Sequence, residues 1–471
     1  MTASASALCE VDFVPEISIG VAVTDNISLA AENEQSETVY ELIPAFALTQ
    51  ESTRLSSALD YRAEGYDYVK ADDSAVYHIF DGSFTAALDR DNFFIRAGAN
   101  REQTVRDPEG VIPSGNLPIS ANRADRDITY LGPSLQYPIG SDTIVRASFI
   151  KTWTRYRETD GQAGAPLAYA FNDFDEDNAS FSIDNYRRER GVTWATRYSS
   201  SKTQYQSEPG TPTYLPYEFR QVALELGAWA RGGLRIFVTG GKESAWDMPF
   251  DPSLEDSFWE AGLATNAGAK LSGEFAAGER SFGASRRASV DLTMDHTSVR
   301  LSYDEEPMTQ GRNPYGGDLY GAMPFAADEY DDYLTQLNSP ERYLSKRLQW
   351  SVNFDLNRTD FTLSAFDESR EQRLRLDGTQ LSDELQQGAT FAVSRRLGAR
   401  TNLSLTASRF YREFEDSDEY VVTWMSASVD YTLGARTQLA LEYSYAEEGN
   451  DGLVVRGYKA NLVSVLLTRT F

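Results

Sequence analysis

The feature that most constrains this chain is a period of two, sustained over runs longer than an ordinary strand. From Leu348 to Leu356 the order is Leu-Gln-Trp-Ser-Val-Asn-Phe-Asp-Leu, with apolar residues at even positions and polar ones at odd. After Asn357-Arg358-Thr359 the pattern resumes with Phe361, Leu363 and Ala365. Val421, Met425, Ala427, Val429 and Tyr431 repeat it, as do Leu439, Leu441, Tyr443 and Tyr445. Successive side chains of a strand point to opposite faces, so each run predicts one apolar and one polar face. Strands of soluble domains average ~5–6 residues, whereas a tilted lipid crossing takes ~9–11. The polar phase holds Asp, Glu, Gln and Arg. That is too wet for the inside of a sandwich and suits the lumen of a membrane barrel.

Connections of two kinds take turns along the chain. Short ones fall near 50–53, 88–92, 138–143, 187–191, 231–234, 266–270, 295–298, 357–360, 397–400 and 433–436. Between them lie longer or more polar stretches, the longest being 305–341. Short periplasmic turns alternating with long external loops are the topology of outer-membrane barrels. The predicted fold is therefore all-β, a single transmembrane antiparallel β-barrel of about 22 strands (range 18–22, with 170–210 the least regular stretch). Residues 11–471 form the barrel. Residues 1–10, rich in Ala and Ser, read as the tail of a signal peptide or a disordered N-terminus.

Composition excludes several function classes. No segment approaches 18 consecutive apolar residues, so a transmembrane helix is not available. The 26 Tyr and 24 Phe suit aromatic bands at the two bilayer interfaces. A net charge of −27 argues against nucleic acid as a partner, because phosphate binding needs clustered Lys and Arg. Cys9 is the only cysteine, and His78 and His296 are the only histidines, so there is no cysteine-rich metal site. No spaced acid, base or nucleophile set stands out, and neither enzymatic activity nor a cofactor is expected.

Charge is sorted by side. The short turns carry Arg231, Lys270, Arg358, Arg395, Arg396, Arg400 and Arg436, while long loops carry acids such as Asp175, Glu176 and Asp177. Within 305–341, Asp328, Glu329, Asp331 and Asp332 are candidates for an acidic gate or vestibule, since loops of that length are usually functional or disordered. Gln349, Asn353, Asp355, Gln438 and Glu442 fall on polar phases and are the lumen-facing candidates. Leu397-Gly398-Ala399-Arg400-Thr401 returns as Leu433-Gly434-Ala435-Arg436-Thr437, one hairpin and loop later, and its glycine is expected to supply a positive φ. The chain ends on an alternating strand with an aromatic last residue, Phe471, a candidate signal for the outer-membrane assembly machinery.

Several short motifs resemble the outer-membrane β-barrel proteins associated with PEP-CTERM/exosortase and exopolysaccharide loci. They are Pro15-Glu16-Ile17-Ser18-Ile19, the Thr24-Asp25-Asn26 turn, Leu344-Ser345-Lys346-Arg347-Leu348 and the two Leu-Gly-Ala-Arg-Thr turns. The resemblance implies an outer-membrane location in a Gram-negative bacterium and a conduit for secreted polysaccharide. The implied partners are outer-membrane lipid, that polysaccharide, a periplasmic polysaccharide-export protein and the assembly machinery. A general diffusion porin and a structural or adhesive barrel are the alternatives.

Overall fold

The computed structural model describes residues 10–89, 92–105, 115–120, 122–158, 173–185, 191–206, 216–230, 233–246, 254–266, 270–309, 341–375, 378–414, 419–450 and 457–471. Of the features singled out in the sequence, residues 1–9, most of the turn 187–191, Arg231 and the acidic tract with Asp328, Glu329, Asp331 and Asp332 lie outside them.

The chain is a β-barrel of 22 strands. In order they are β1 (Glu10–Thr24), β2 (Glu37–Glu51), β3 (Leu55–Tyr68), β4 (Asp73–Asp89), β5 (Phe93–Val105) and β6 (Arg123–Ile139). Next come β7 (Thr143–Glu158), β8 (Phe174–Asp184), β9 (Gly191–Tyr205), β10 (Tyr217–Trp229), β11 (Leu234–Ser244) and β12 (Glu255–Asn266). Then follow β13 (Leu271–Arg280), β14 (Gly283–Met294), β15 (Thr297–Thr309), β16 (Glu341–Leu356) and β17 (Thr359–Arg375). The last are β18 (Glu384–Arg396), β19 (Thr401–Phe414), β20 (Tyr420–Gly434), β21 (Thr437–Asn450) and β22 (Tyr458–Thr470). Every strand pairs antiparallel with its sequence neighbour, and β1 pairs with β22 to close the sheet. Closure removes the open edge that lipid could not satisfy. The seam runs from Glu16↔Thr470 to Thr24↔Leu462, and the Phe471 amide donates to the Pro15 carbonyl at 2.9 Å just below it.

Polarity is inverted relative to a soluble fold. On β10, Val222, Leu224 and Leu226 are exposed while Ala223 and Glu225 between them are buried. On β11, Ile236 and Val238 are exposed while Arg235, Phe237 and Thr239 are buried. The outward face is greasy and the inward face polar, as lipid on one side and a lumen on the other require. The external edge of the outward face is marked by tyrosines that donate to a glutamate two residues further along the same strand. Tyr303 reaches Glu305 at 2.5 Å, Tyr411 reaches Glu413 at 2.9 Å and Tyr445 reaches Glu447 at 2.7 Å. An amphipathic ring with its hydroxyl turned to a carboxylate suits the lipid–water boundary.

Two expectations are corrected. Gly398 and Gly434 do not take positive φ; among the described residues of the periplasmic turns that conformation falls to Asn357, Gly140, Gly191 and Gly233. The β20–β21 turn is instead accommodated by a bulge between Thr432 and Gly434. The acids at 175–177 are not in a loop but on β8, where Asp177 meets Lys151 at 2.9 Å and Asp175 meets Arg155 at 2.6 Å. Strand pairing continues above the lipid, because ladder hydrogen bonds do not depend on side-chain polarity; alternation stops where lipid stops, and the sequence pattern stops with it.

Candidate functional site

The functional surface of such a barrel is its lumen, and here much of that face is buried. Across six strands, six charges form a continuous ladder of alternating sign. Arg197 lies 3.3 Å from Glu225, Glu225 2.7 Å from Arg235, and Arg235 3.6 Å from Glu274. Glu274 lies 2.5 Å from Arg287, and Arg287 3.5 Å from Glu260. Towards the external end Glu243 and Arg280 pair at 2.8 Å, and the guanidinium also stacks 5.0 Å from the ring of Phe282. Register brings these groups together: each occupies the inward phase of its strand, so neighbouring strands present charges side by side.

A second buried cluster fills the external end of β16–β19. Arg373 bridges Glu341 at 2.9 Å and Glu384 at 3.3 Å, and Arg412 also donates to Glu384. Glu368 accepts from Ser345 at 2.7 Å and faces Arg347 at 3.5 Å and Arg370 at 3.4 Å. Trp246, which follows β11, reaches this cluster: it donates to Gln372, and its carbonyl accepts from Arg342. Charges removed from water must be paired, and these are.

The remaining sector is different. Strands β1–β6, β21 and β22 surround a cavity of about 690 Å³. Its lining includes seven carboxylates (Glu16, Glu41, Asp60, Glu64, Asp81, Glu102 and Glu442) against two guanidiniums, Arg62 and Arg126. Glu64 is held by Arg62 at 2.7 Å, by the Tyr66 hydroxyl at 3.0 Å and by Asn116 at 2.8 Å, and Glu102 accepts from Arg126. The Glu41 and Asp60 carboxylates line the cavity on the β2 and β3 walls. Its roof is made by Asn26, Leu29 and residues 115–118. The cavity thus has a surplus of negative charge beneath a largely apolar cover.

Of the residues chosen from the sequence, Glu442 lines this cavity. Gln349, Asn353 and Asp355 share the inward phase of β16 with the buried Arg347 and Ser351, and Asn353 accepts from Thr362 at 2.9 Å. Gln438 donates to Asp430 at 2.9 Å near the periplasmic end. The sequence reading missed the acids of β1–β5 and both ion-pair clusters. The signal was present in spacings such as Asp60, Arg62 and Glu64, charges two apart on the polar phase of a strand. No group of three or more His, Cys, Asp or Glu placed to hold a metal ion occurs among the described residues.

No family model and no curated protein matches the chain. Among solved structures, it is similar to the siderophore receptor PirA from Acinetobacter baumannii, with a TM-score of 0.50, 8% identity, and 97% of this chain matched to 80% of that one. It is also similar to a mutant of the ferric enterobactin receptor PfeA from Pseudomonas aeruginosa, with a TM-score of 0.49, 11% identity, and coverage of 98% and 80%. The FrpB iron transporter from Neisseria meningitidis gives 0.43 and 8%, with coverage of 99% and 83%. The likeness to the siderophore receptor, with no family model matching, overturns the resemblance to PEP-CTERM/exosortase barrels. The motifs behind it were turn and alternation signatures, which barrel geometry imposes whatever passes through the lumen. The polysaccharide conduit, the secreted polysaccharide and the periplasmic export protein as partners fall with it. So does the general diffusion porin, since much of the polar lumen face is buried in paired charge. The chain is a β-barrel of the Gram-negative outer membrane, built on the fold seen in a siderophore receptor.

Proposed function

We propose that this protein is a substrate-selective outer-membrane transporter that takes up a metal chelate of the siderophore class. The observation that carries the reading is the roofed acidic cavity inside a barrel whose other lumen sectors are filled by paired charge. A solute then crosses by binding and displacement rather than by free diffusion. A pocket of several hundred Å³ with convergent polar groups fits a small organic ligand. The likeness to a siderophore receptor supports the same solute class.

The carboxylate surplus sets the sign of the solute. Two like charges about 4 Å apart repel by roughly 1 kcal/mol in water and roughly 4 kcal/mol at an effective dielectric of 20. Cationic or neutral chelates, such as ferric hydroxamates, are therefore favoured over polyanionic catecholate complexes. The test is uptake of labelled ferric chelates by iron-limited cells with and without the gene. Loss of uptake for a cationic or neutral chelate, with catecholate uptake unchanged, is the expected result. Identical uptake of every chelate by both strains would end this reading.

A further inference from the structure

Residues 25–36 connect β1 to β2, and their first half turns into the barrel instead of away from it. Asn26 is only 1% exposed. Its amide nitrogen donates to the carbonyls of Ala30 at 2.8 Å and Lys459 at 2.9 Å, and its oxygen accepts from the Ala30 amide at 2.9 Å. Two apolar side chains follow, and they enter different clusters. Ile27 packs with Val39, Tyr66, Tyr68 and Leu117. Leu29 packs with Ala446, Tyr458 and Ala460, against Trp424. The segment therefore reaches from the wall formed by β2 and β3 to the wall formed by β20–β22.

A second segment is bonded to the first. The Ile119 amide donates to the Ile27 carbonyl at 2.8 Å, and the Tyr68 hydroxyl donates to the Leu117 carbonyl at 3.0 Å. Asn26, Leu29 and Leu117 all lie on the cavity below, so the two segments make one cover over it. The cover carries a local conflict. Leu29 has φ of +50°, a left-handed conformation that a leucine adopts only when its surroundings hold it there. Here the Asn26 side chain brackets the neighbouring Ala30 backbone, and the packing of the Leu29 side chain holds the rest. Asp25 remains outside, tied to the amide and side chain of Asn461 at 2.7 Å each, as a fixed point about which the segment can swing.

We infer that residues 25–30 are a gate over the acidic cavity, latched shut by Leu29 and Ile27 and opened when those side chains withdraw. The transport reading enters only in saying which solute passes; the latch is tested without transport. In a Cys9→Ser background, Ser444→Cys places one thiol on the cavity wall. Whole cells are treated with a bulky, membrane-impermeant maleimide, and the rate of labelling is measured. Leu29→Gly deletes the latch side chain at a φ that glycine adopts freely, and Leu29→Asp makes its burial costly. Each variant should accelerate labelling by about tenfold or more, the shift in open population expected when a buried apolar anchor is lost. Folding is checked by heat-modifiable migration on gels, and should Leu29→Asp not assemble, Leu29→Gly decides alone. Labelling of folded Leu29→Gly at the parent rate, or rapid labelling of the parent itself, overturns the gate. Failure of chelate uptake leaves this result untouched.

Discussion

Arg235 on β11 donates from Nη1 to Glu225 Oε1 on β10 at 2.7 Å, and both side chains are buried on the lumen face. The pair stands inside the six-membered ladder, since Glu225 also faces Arg197 and Arg235 also faces Glu274. Removing Glu225 leaves two guanidiniums without their nearest carboxylate. Breaking a buried pair from one side costs about 3–5 kcal/mol, whereas replacing both partners with apolar groups is often neutral. Glu225→Ala should therefore lower stability by about that amount, and Glu225→Leu with Arg235→Met should recover much of it. Urea unfolding in detergent, followed by tryptophan fluorescence, measures both. Equal stability of Glu225→Ala and wild type would show that the ladder adds nothing to the fold.

The lipid face is tested by charge. Leu405 and Leu441 are 40% and 49% exposed on the outward phases of β19 and β21, and Ser404 is half-buried on the inward phase. Leu405→Arg or Leu441→Arg should cost about 2–4 kcal/mol if near the midplane, and Ser404→Arg much less. A greater loss for Ser404→Arg in the same unfolding assay would mean that the register is inverted.

Two glycines are required by strand packing rather than by turn geometry. A Cβ on Gly241 would stand 1.9 Å from the carbonyl oxygen of Val222, and one on Gly278 1.9 Å from that of Trp259. Backbone cannot yield as a flexible side chain can, so Gly241→Val or Gly278→Val forces neighbouring strands apart, at a cost of at least about 1–3 kcal/mol. Gly398→Ala, which meets nothing within 4 Å, is the control and should fold normally. The fraction of heat-modifiable barrel recovered from membranes separates them. Equal recovery of all three would remove the steric argument.

These residues also show what the sequence could and could not tell. Alternation, turn placement and strand number were legible because lipid and lumen impose opposite polarity on successive residues, and runs such as Leu439, Leu441 and Tyr443 follow it closely. The lumen was less legible. Gln349 and Asn353 could be assigned a face, but no local pattern shows that Arg373 meets both Glu341 and Glu384, which lie 32 and 11 residues away in opposite directions. Nor does sequence reveal that 25–30 turns inward: Ile27 and Leu29 sit in a connection whose other residues, Ala30 and Ala31 aside, are polar, and only the closed barrel brings Ala446 and Ala460 beside Leu29. The family resemblance failed for the converse reason, since the motifs that supported it are those that any barrel shares.

The C-terminus carries the last prediction. Phe471 follows β22, its amide bonded to Pro15 at 2.9 Å and its ring 5.5 Å from the Arg469 guanidinium, with over half its surface exposed on the periplasmic side of the seam. The seam joins the two ends of the sheet, β1 and β22, so its pairing completes the barrel. Until they pair, both present unsatisfied N–H and C=O groups that lipid cannot bond. A residue that positions β22 for pairing therefore acts on assembly more than on the stability of the finished barrel. Deleting Phe471 should sharply reduce the heat-modifiable form in outer membranes, while the protein that does insert should unfold at nearly the wild-type urea concentration. Deleting one residue from 451–456, between β21 and β22 on the external side, should leave insertion close to normal. Equal insertion of the two deletions would remove any special role for Phe471. A large drop in the stability of the inserted Phe471 deletion would make it a structural clamp on the seam instead of an assembly signal.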